Sequence, residues 1–347
     1  MGRFPLPPFP NGWFQVAYGD ELPPGSVLPL RYFGRDLVAF RGEDGEAHVL
    51  DATCPHLGAH LGVGGTVVEN TVRCPFHAWR FDGHGRCTEV PYAKKIPPKA
   101  TVRSWPVRER NGLLMVHHHA DGDPPAFEIP VLPEHGSDEW TDYRRLRWRI
   151  RSHNQDMAEN AVDRAHFRYV HRTLEVPESK AEVDGPELRV VSRARMRTPQ
   201  GDIDAQIASH SWGFGFATTR FSGIVETLLV ASVTPIDVED LDVRFSFMVK
   251  KIGNADVTRG VGRALIADIE KQMGEDKPIW ETKAYLPRPV LCDGDGPIAL
   301  FRKWAQQFYA SRAERAAAAA GVEVAATGAE APGGGAEAPT AGAEAPA

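Results

Sequence analysis

The residues of this chain with the most definite chemistry are Cys54-Pro55-His56 and Cys74-Pro75-Phe76-His77. They spell Cys-x-His, seventeen intervening residues, then Cys-x-x-His. Each short segment offers one thiolate and one imidazole. A Cys2His2 zinc finger groups its cysteines in one place and its histidines in another, so mixed pairs fit it poorly. They fit a [2Fe–2S] cluster in which two thiolates hold one iron and two imidazoles the other. Imidazole ligation raises the potential of such a cluster above that of its all-cysteine counterpart. Cys54, His56, Cys74 and His77 are therefore expected to ligate a one-electron carrier. His60 is expected to be a loop residue near the cluster rather than a fifth ligand.

A second motif, Asp163-x-x-His166-x4-His171, follows downstream. Two neutral imidazoles and one carboxylate on one face of Fe(II) leave positions open for dioxygen and substrate. His166 and His171 are the expected imidazole ligands. Residues five apart on a regular helix point about 140° away from each other. Both reach one metal only if the helix is irregular or ends near Tyr169. Asp163 shares a face with His166 at i,i+3. It is a candidate for the carboxylate that orients a metal-bound histidine. Asn160, one turn earlier, is a candidate for lining the same site. The third ligand must come from elsewhere in the chain.

Both cluster pairs need elements that present loop tips. Cys54 follows the apolar stretch 48–52, and Cys74 follows the alternating stretch 66–73, read here as one strand. Ser26–Phe33, Asp36–Phe40 and Gly112–Val116 also read as strands, with Gly and Asp between them. Residues 1–122 are thus expected to form an all-β cluster domain, ending at Asp121-Gly122-Asp123-Pro124-Pro125. Residues 123–315 read as a mixed region. A helix is expected over 154–171, with His153 at its edge. Alternating strands follow over 187–196, 226–233 and 241–249, and helices near 259–273 and 297–315. An antiparallel sheet half-covered by helices uses that pattern. Residues 316–347 are mainly Ala, Gly, Pro and Glu, with Gly-Ala-Glu-Ala-Pro recurring from Gly328, Gly335 and Gly342. Without core-forming residues, this segment is expected to be disordered.

Composition narrows the function. The formal charge is -6, and four of the acids lie in the tail, so no nucleic-acid or anionic-membrane surface is indicated. No run of eighteen apolar residues exists for a spanning helix. Met1–Pro8 lacks the apolar core of a signal peptide. Beyond Cys54 and Cys74 the chain has Cys87 and Cys292, expected to be buried thiols rather than a disulfide. Thiolate ligands suit a reducing compartment, so a cytoplasmic location is expected. Gly62-Val63-Gly64-Gly65 lacks the spacing and following helix of a dinucleotide loop. Asp293-Gly294-Asp295-Gly296 lacks the further ligands of a calcium loop and reads as a turn.

With both motifs in hand, residues 10 to 312 resemble the oxygenase component of Rieske non-haem iron oxygenases. The stretch Cys74-Pro75-Phe76-His77-Ala78-Trp79-Arg80-Phe81-Asp82-Gly83 is similar to the second cluster loop of that family. Respiratory Rieske proteins carry an extra cysteine in each loop, where this chain has Ala59 and Phe76. Residues 276–283, 287–298 and 301–309 resemble the oxygenase of 3-ketosteroid 9α-hydroxylase and the Neverland-type cholesterol 7-desaturases. The resemblance implies an α+β fold. Its N-terminal all-β Rieske domain is followed by a helix-grip (START-like) catalytic domain with an antiparallel sheet around an apolar pocket. It implies Asp276 as the third iron ligand, with Glu275 the alternative. It also implies a head-to-tail homotrimer in which Asp163 links His77 of one subunit to His166 of the next. The expected activity is hydroxylation or desaturation of a hydrophobic, steroid-like substrate with O2. A separate NAD(P)H-dependent flavin/iron–sulfur reductase or ferredoxin would supply the electrons. Demethylation or ring oxidation of a non-steroid substrate uses the same metals and stays open, as does a pure electron-transfer protein. The exact substrate, regiochemistry, reductase identity and role of the tail also stay open.

Overall fold

A computed structural model describes residues 3–198, 201–223 and 225–311. The expected tail, 316–347, lies outside the described residues. Residues Met1–Ala310 form one compact unit. Its N-terminal part holds β1 (Gly12–Tyr18), β2 (Val27–Tyr32), β3 (Arg35–Arg41), β4 (Ala47–Asp51), β5 (Thr66–Val68) and β6 (Thr71–Arg73). These are followed by β7 (Arg80–Phe81), β8 (Cys87–Glu89), β9 (Ser104–Trp105), β10 (Val107–Arg110) and β11 (Leu113–His118). They build three small sheets, ordered β1-β11-β10, β2-β3-β4-β9 and β5-β6-β7-β8. The stretch 66–73 is a hairpin rather than one strand. Glu69 takes φ 54°, and Glu69–Asn70 turns the chain so that Val68 pairs with Thr71. Asn readily occupies such a turn.

The rest forms a seven-stranded antiparallel sheet, ordered β12-β18-β17-β16-β15-β14-β13. Its strands are β12 (Arg144–Ile150), β13 (Glu178–Asp184), β14 (Glu187–Thr198), β15 (Gly201–Trp212), β16 (Phe216–Ser222), β17 (Thr227–Asp237) and β18 (Asp240–Val249). Helices α1 (Asn154–Ala158) and α2 (Ala165–Tyr169) lie between β12 and β13, and α3 (Ala255–Thr282) and α4 (Ile298–Ala305) follow the sheet. The fold class is α+β, as expected.

Helix α3 is longer than its apolar pattern suggested. Asn254 caps it by accepting from the Asp256 and Val257 amides at 3.0 Å each. Its buried positions run Thr258, Gly262, Ile266, Ile269, Met273, Asp276 and Trp280, one stripe at helical spacing. Ile266 and Ile269 pack on Leu229 and Phe247 of the sheet. Burying such side chains contributes roughly 1.5–3 kcal/mol each.

The two sheet systems meet through backbone and charge. Phe33 N and Gly34 N donate to Pro235 O and Ile236 O, and Thr234 Oγ1 donates to Gln15 O at 2.6 Å. Buried Asp242 of β18 accepts from Tyr32 Oη at 2.6 Å, Arg147 Nε at 2.7 Å and Arg244 Nε at 3.0 Å. Burial works to raise its carboxyl, but the Arg147 hydrogen bond, the Arg244 charge and the Tyr32 hydrogen bond outweigh it and hold it below the usual range. Cys87 is half-buried and Cys292 is exposed, contrary to the expectation of two buried thiols. Cys87 sits at a sheet edge, its Sγ 3.3 Å from Glu89 O. Cys292 begins the 292–295 turn, closed by the Asp295 carboxylate on the Cys292 amide at 2.8 Å.

Candidate metal centres and substrate pocket

The two cluster loops are copies of one backbone device. In each, the residue four beyond the cysteine donates back to it: Gly58 N to Cys54 O at 2.9 Å, Ala78 N to Cys74 O at 3.1 Å. In each, the cysteine amide bonds one residue further on: Cys54 N to Ala59 O at 2.9 Å, Cys74 N to Trp79 O at 2.8 Å. The turn requires a left-handed residue, supplied by Gly58 (φ 79°) and Ala78 (φ 60°). The device brings His56 and His77 to a ring separation of 4.6 Å. Trp79 stacks on His56 at 4.7 Å and 9°, and its Nε1 donates to Tyr92 Oη at 2.8 Å. His60 is held in the loop, its Nδ1 accepting from Gly62 N at 3.0 Å.

Cys54 and Cys74 are buried side by side, and burial pushes the Cys54 thiol up to about 11. His56 Nδ1 is buried with no protein partner. Two buried thiols that need a cation to ionise, beside an orphaned imidazole nitrogen, are the donor set a [2Fe–2S] cluster requires.

The second site is assembled from distant parts. The expected helix over 154–171 is broken. His153 caps α1 through Nδ1, a 3-10 turn spans Glu159–Ala161, and α2 starts only at Ala165. The Asp163 carboxylate accepts from the amides of Ala165 and His166 at 3.1 and 3.3 Å, which restarts the helix. Helix α2 ends at Tyr169 and Arg172 turns left-handed at φ 59°. His171 is therefore past the last helical turn, and its ring swings to 5.1 Å from that of His166. That removes the 140° objection.

Asp276 of α3 completes the group: ligand atoms of His166, His171 and Asp276 all lie within 4.8 Å of one another. His171 Nε2 is 3.3 Å from Asp276 Oδ2, while its Nδ1 faces Glu275 Oε2 at 3.1 Å. Adjacent α3 residues thus grip opposite ends of one imidazole. Burial pulls the His171 pKa down, but the hydrogen bonds to Asp276 and Glu275 prevail and raise it. Burial lowers the His166 pKa against the pull of Asp163 and Asp276. The Asn160 amide lies 3.2 Å from His166 Nε2 and 3.3 Å from Asp276 Oδ2. His166 Nδ1 meets the Asp163 main-chain oxygen at 2.5 Å, with the nearer carboxylate oxygen at 3.9 Å. The backbone, rather than the carboxylate, orients that ring. Two imidazoles and a carboxylate converging beside a pocket are the donor set of a mononuclear Fe(II) site.

Supports for this site went unread in the sequence. Arg302 of α4 holds Glu159 by two hydrogen bonds, at 2.6 and 2.8 Å. A Cβ on Gly296 would meet Val162 O at 1.7 Å, so only glycine lets the 292–297 turn close on the break between helices.

Beside the two histidines and Asp276 opens a cavity of about 270 Å³ between the sheet, α3 and α4. Its walls are mainly apolar, with Phe214, Phe245, Ile269, Trp280, Phe301 and Trp304 among them.

Residues 12–106 match the Rieske [2Fe-2S] domain, and residues 116–309 match the 3-Ketosteroid 9alpha-hydroxylase C-terminal domain. The chain belongs to the Rieske non-haem iron oxygenases. It is 32% identical over 343 residues to cholesterol 7-desaturase nvd 1 of Ciona intestinalis, covering 89% of this chain and 71% of that protein. It is 32% identical over 320 residues to a 3-ketosteroid-9-alpha-monooxygenase oxygenase component of Rhodococcus rhodochrous, covering 87% and 81%. The fold is shared with the Pseudomonas putida CBB5 NdmA QL mutant with caffeine (TM-score 0.70, 23% identity, 85% and 89% covered). It is also shared with dicamba monooxygenase bound to dicamba (TM-score 0.69, 20% identity, 89% and 98% covered). This oxygenase is an oxidoreductase with two cofactors, a Rieske [2Fe–2S] cluster and a mononuclear iron. Among the described residues, no helix is long and apolar enough to cross a membrane.

Proposed function

We propose that this oxygenase hydroxylates or desaturates a steroid-like substrate held in the apolar cavity beside His166, His171 and Asp276. The observation that carries the reading is that cavity: a mostly apolar chamber at whose edge the three proposed iron ligands converge. It suits a rigid apolar polycycle, and the named activities of the relatives point to the same class. Cys54, His56, Cys74 and His77 would hold the cluster; His166, His171 and Asp276 would hold the iron. Activation of dioxygen for C–H oxidation is the chemistry an Fe(II) held there supplies.

The protein's own part is positioning. Glu275 accepts the Nδ1 proton of His171 and leaves the Nε2 lone pair toward Asp276. The Asn160 amide donates toward Asp276 Oδ2 beside His166. Buried Phe301 and Trp304 give the cavity apolar wall on the α4 side. Leu57, Phe76 and Tyr92 expose 65%, 61% and 62% of their surface around His56 and His77. An apolar rim of this kind supports docking against a second copy. Asp163, with 42% of its side chain exposed, is the group available to meet such a neighbour's His77. A head-to-tail homotrimer accounts for both surfaces. A separate NAD(P)H-dependent flavin/iron–sulfur reductase or ferredoxin supplies electrons, and the unpaired thiols suit a cytoplasmic setting.

The test is turnover with a surrogate reductase, NADH, O2 and either cholesterol or a 3-ketosteroid, read by mass spectrometry. Gain of one oxygen marks a hydroxylase, and loss of two hydrogens a desaturase. Reductant consumed to peroxide with no steroid product overturns the substrate class and turns the search to demethylation or ring oxidation of other compounds.

A further inference from the structure

Strands β15 and β16 present three successive rungs to the cavity: Ile207 with Phe221, Ser209 with Thr219, and Ser211 with Ala217. The central rung is a pair of facing hydroxyls, with the single hydroxyl of Ser211 one rung along, in a mostly apolar wall. Ser209 Oγ and Thr219 Oγ1 lie 3.0 Å apart, and both side chains are only half-buried, so a ligand can reach them. One hydroxyl donates to the other, which uses one of two protons and one lone pair. Among the described residues, neither oxygen has another hydrogen-bond partner. One proton and several lone pairs therefore face the cavity. The other polar group on the facing helix is engaged elsewhere: Gln272 Nε2 donates to Asp268 at 2.8 Å. Thr219 pairs with Leu229 of β17, and Leu229 clusters with Ile266 and Ile269 of α3. Ile269 precedes Asp276 by seven residues, or about 10 Å of helix rise. The hydroxyl pair thus lies toward the end of the cavity away from the iron ligands.

We propose that Ser209 and Thr219 anchor an oxygen substituent of the substrate, a ketone or an alcohol, at the end remote from the carbon that is oxidised. This deepens the steroid reading and rests on it. A ketone accepts the one free proton, and an alcohol can both accept and donate. A hydrocarbon of the same shape would cover the pair and leave its one free proton and remaining lone pairs unmatched, and unmatched polar burial is unfavourable. The pair therefore selects oxygenated polycycles over bare ones and fixes how far the ring system slides toward the iron. A rigid skeleton held at one end presents one carbon at the other, so the pair also sets the position of attack.

The experiment measures binding of androstan-3-one, androstan-3β-ol and androstane to the holoprotein, by quenching of the pocket tryptophans Trp280 and Trp304. The readout needs no turnover. The wild type is expected to hold at least one oxygenated steroid roughly 3- to 10-fold tighter than androstane, the range one hydrogen bond supports. Ser209→Ala and Thr219→Val should narrow that gap and leave androstane binding unchanged. In turnover they should raise KM more than they lower kcat, and spread the product over more than one position. Thermal melts confirm that each variant folds. Equal affinity for all three ligands in the wild type, or an equal loss for all three in the variants, overturns the anchor while the steroid reading stands. Binding of none of the three overturns the steroid reading and the anchor with it.

Discussion

The cluster loops and the iron site solve one problem, converging four or three ligands on a metal, in opposite ways. The cluster loops are short, local and duplicated. Each is closed by its own backbone hydrogen bonds, with the left-handed residue four beyond the cysteine. The iron site draws on a broken helix at 154–171 and on α3 more than a hundred residues later. Its geometry comes from packing: Arg302 on Glu159, Gly296 under Val162, Glu275 behind His171. A locally closed loop keeps its shape when remote contacts change. A site assembled by tertiary packing does not.

The largest test of that independence is His166→Ala. Turnover should fall to background while the visible spectrum of the cluster stays that of the wild type. Bleaching of the cluster along with activity would show the two sites to be one folding unit. Persisting activity would mean that His166 is no ligand and the chain merely passes electrons.

The seam between the regions gives the next effect. Asp242 ties Tyr32 of the cluster half to Arg147 and Arg244 of the sheet. Its carboxyl is held below the unfolded value near 3.9. Its contribution to stability is therefore complete above the unfolded pKa and lost as pH falls through the folded one. Asp242→Asn should cost about 3 kcal/mol near neutrality, because Arg244 is left buried beside a weaker partner. The variant should also lose less further stability on acidification than the wild type. Denaturant melts from pH 7 down to pH 3 measure both, and parallel pH profiles for the two proteins would contradict the assignment.

How much was legible follows the same division. The four proposed cluster ligands stand within twenty-four residues in a recognisable pattern, and the structure brings all of them together. His166 and His171 were equally visible, but the helix break that lets them converge was not. It depends on an Asp163 side chain restarting α2 and on a glycine far downstream. Asp276 came by resemblance, although the sequence held a physical signal for it. It lies on the apolar stripe of α3, three residues after Met273 and four before Trp280, where a carboxylate has no structural reason to be. Glu275 falls off that stripe, which favours Asp276 over Glu275 as the proposed ligand. Ser209 and Thr219 gave no signal, because a hydroxyl on an alternating strand reads the same on either face of a sheet until the register is known.

Glu275→Gln probes the supporting layer alone. An amide can still reach His171 but no longer accepts its proton with a full charge. Iron affinity, measured by competition with a chelator, should weaken about 10- to 100-fold, with cluster content and melting temperature unchanged. Unchanged iron affinity would reduce Glu275 to a surface partner of Lys271.

The smallest effect tests whether the two cluster loops really are one device. Gly58 meets the left-handed requirement freely, whereas Ala78 meets it at a steric cost of about 1 kcal/mol. Gly58→Ala should then destabilise the protein by about that amount, since no atom lies within 4 Å of the added Cβ to offset it. Ala78→Gly should have a smaller effect of opposite sign in the folded state, partly cancelled by the greater freedom of glycine in the unfolded chain. Paired melts of the two variants read the difference directly. Equal and opposite strain terms would mean that the loops share one backbone requirement and differ only in which residue meets it. A large loss from Ala78→Gly would mean that the Ala78 methyl supports His77 by packing, so that the second loop depends on its surroundings in the way the iron site does.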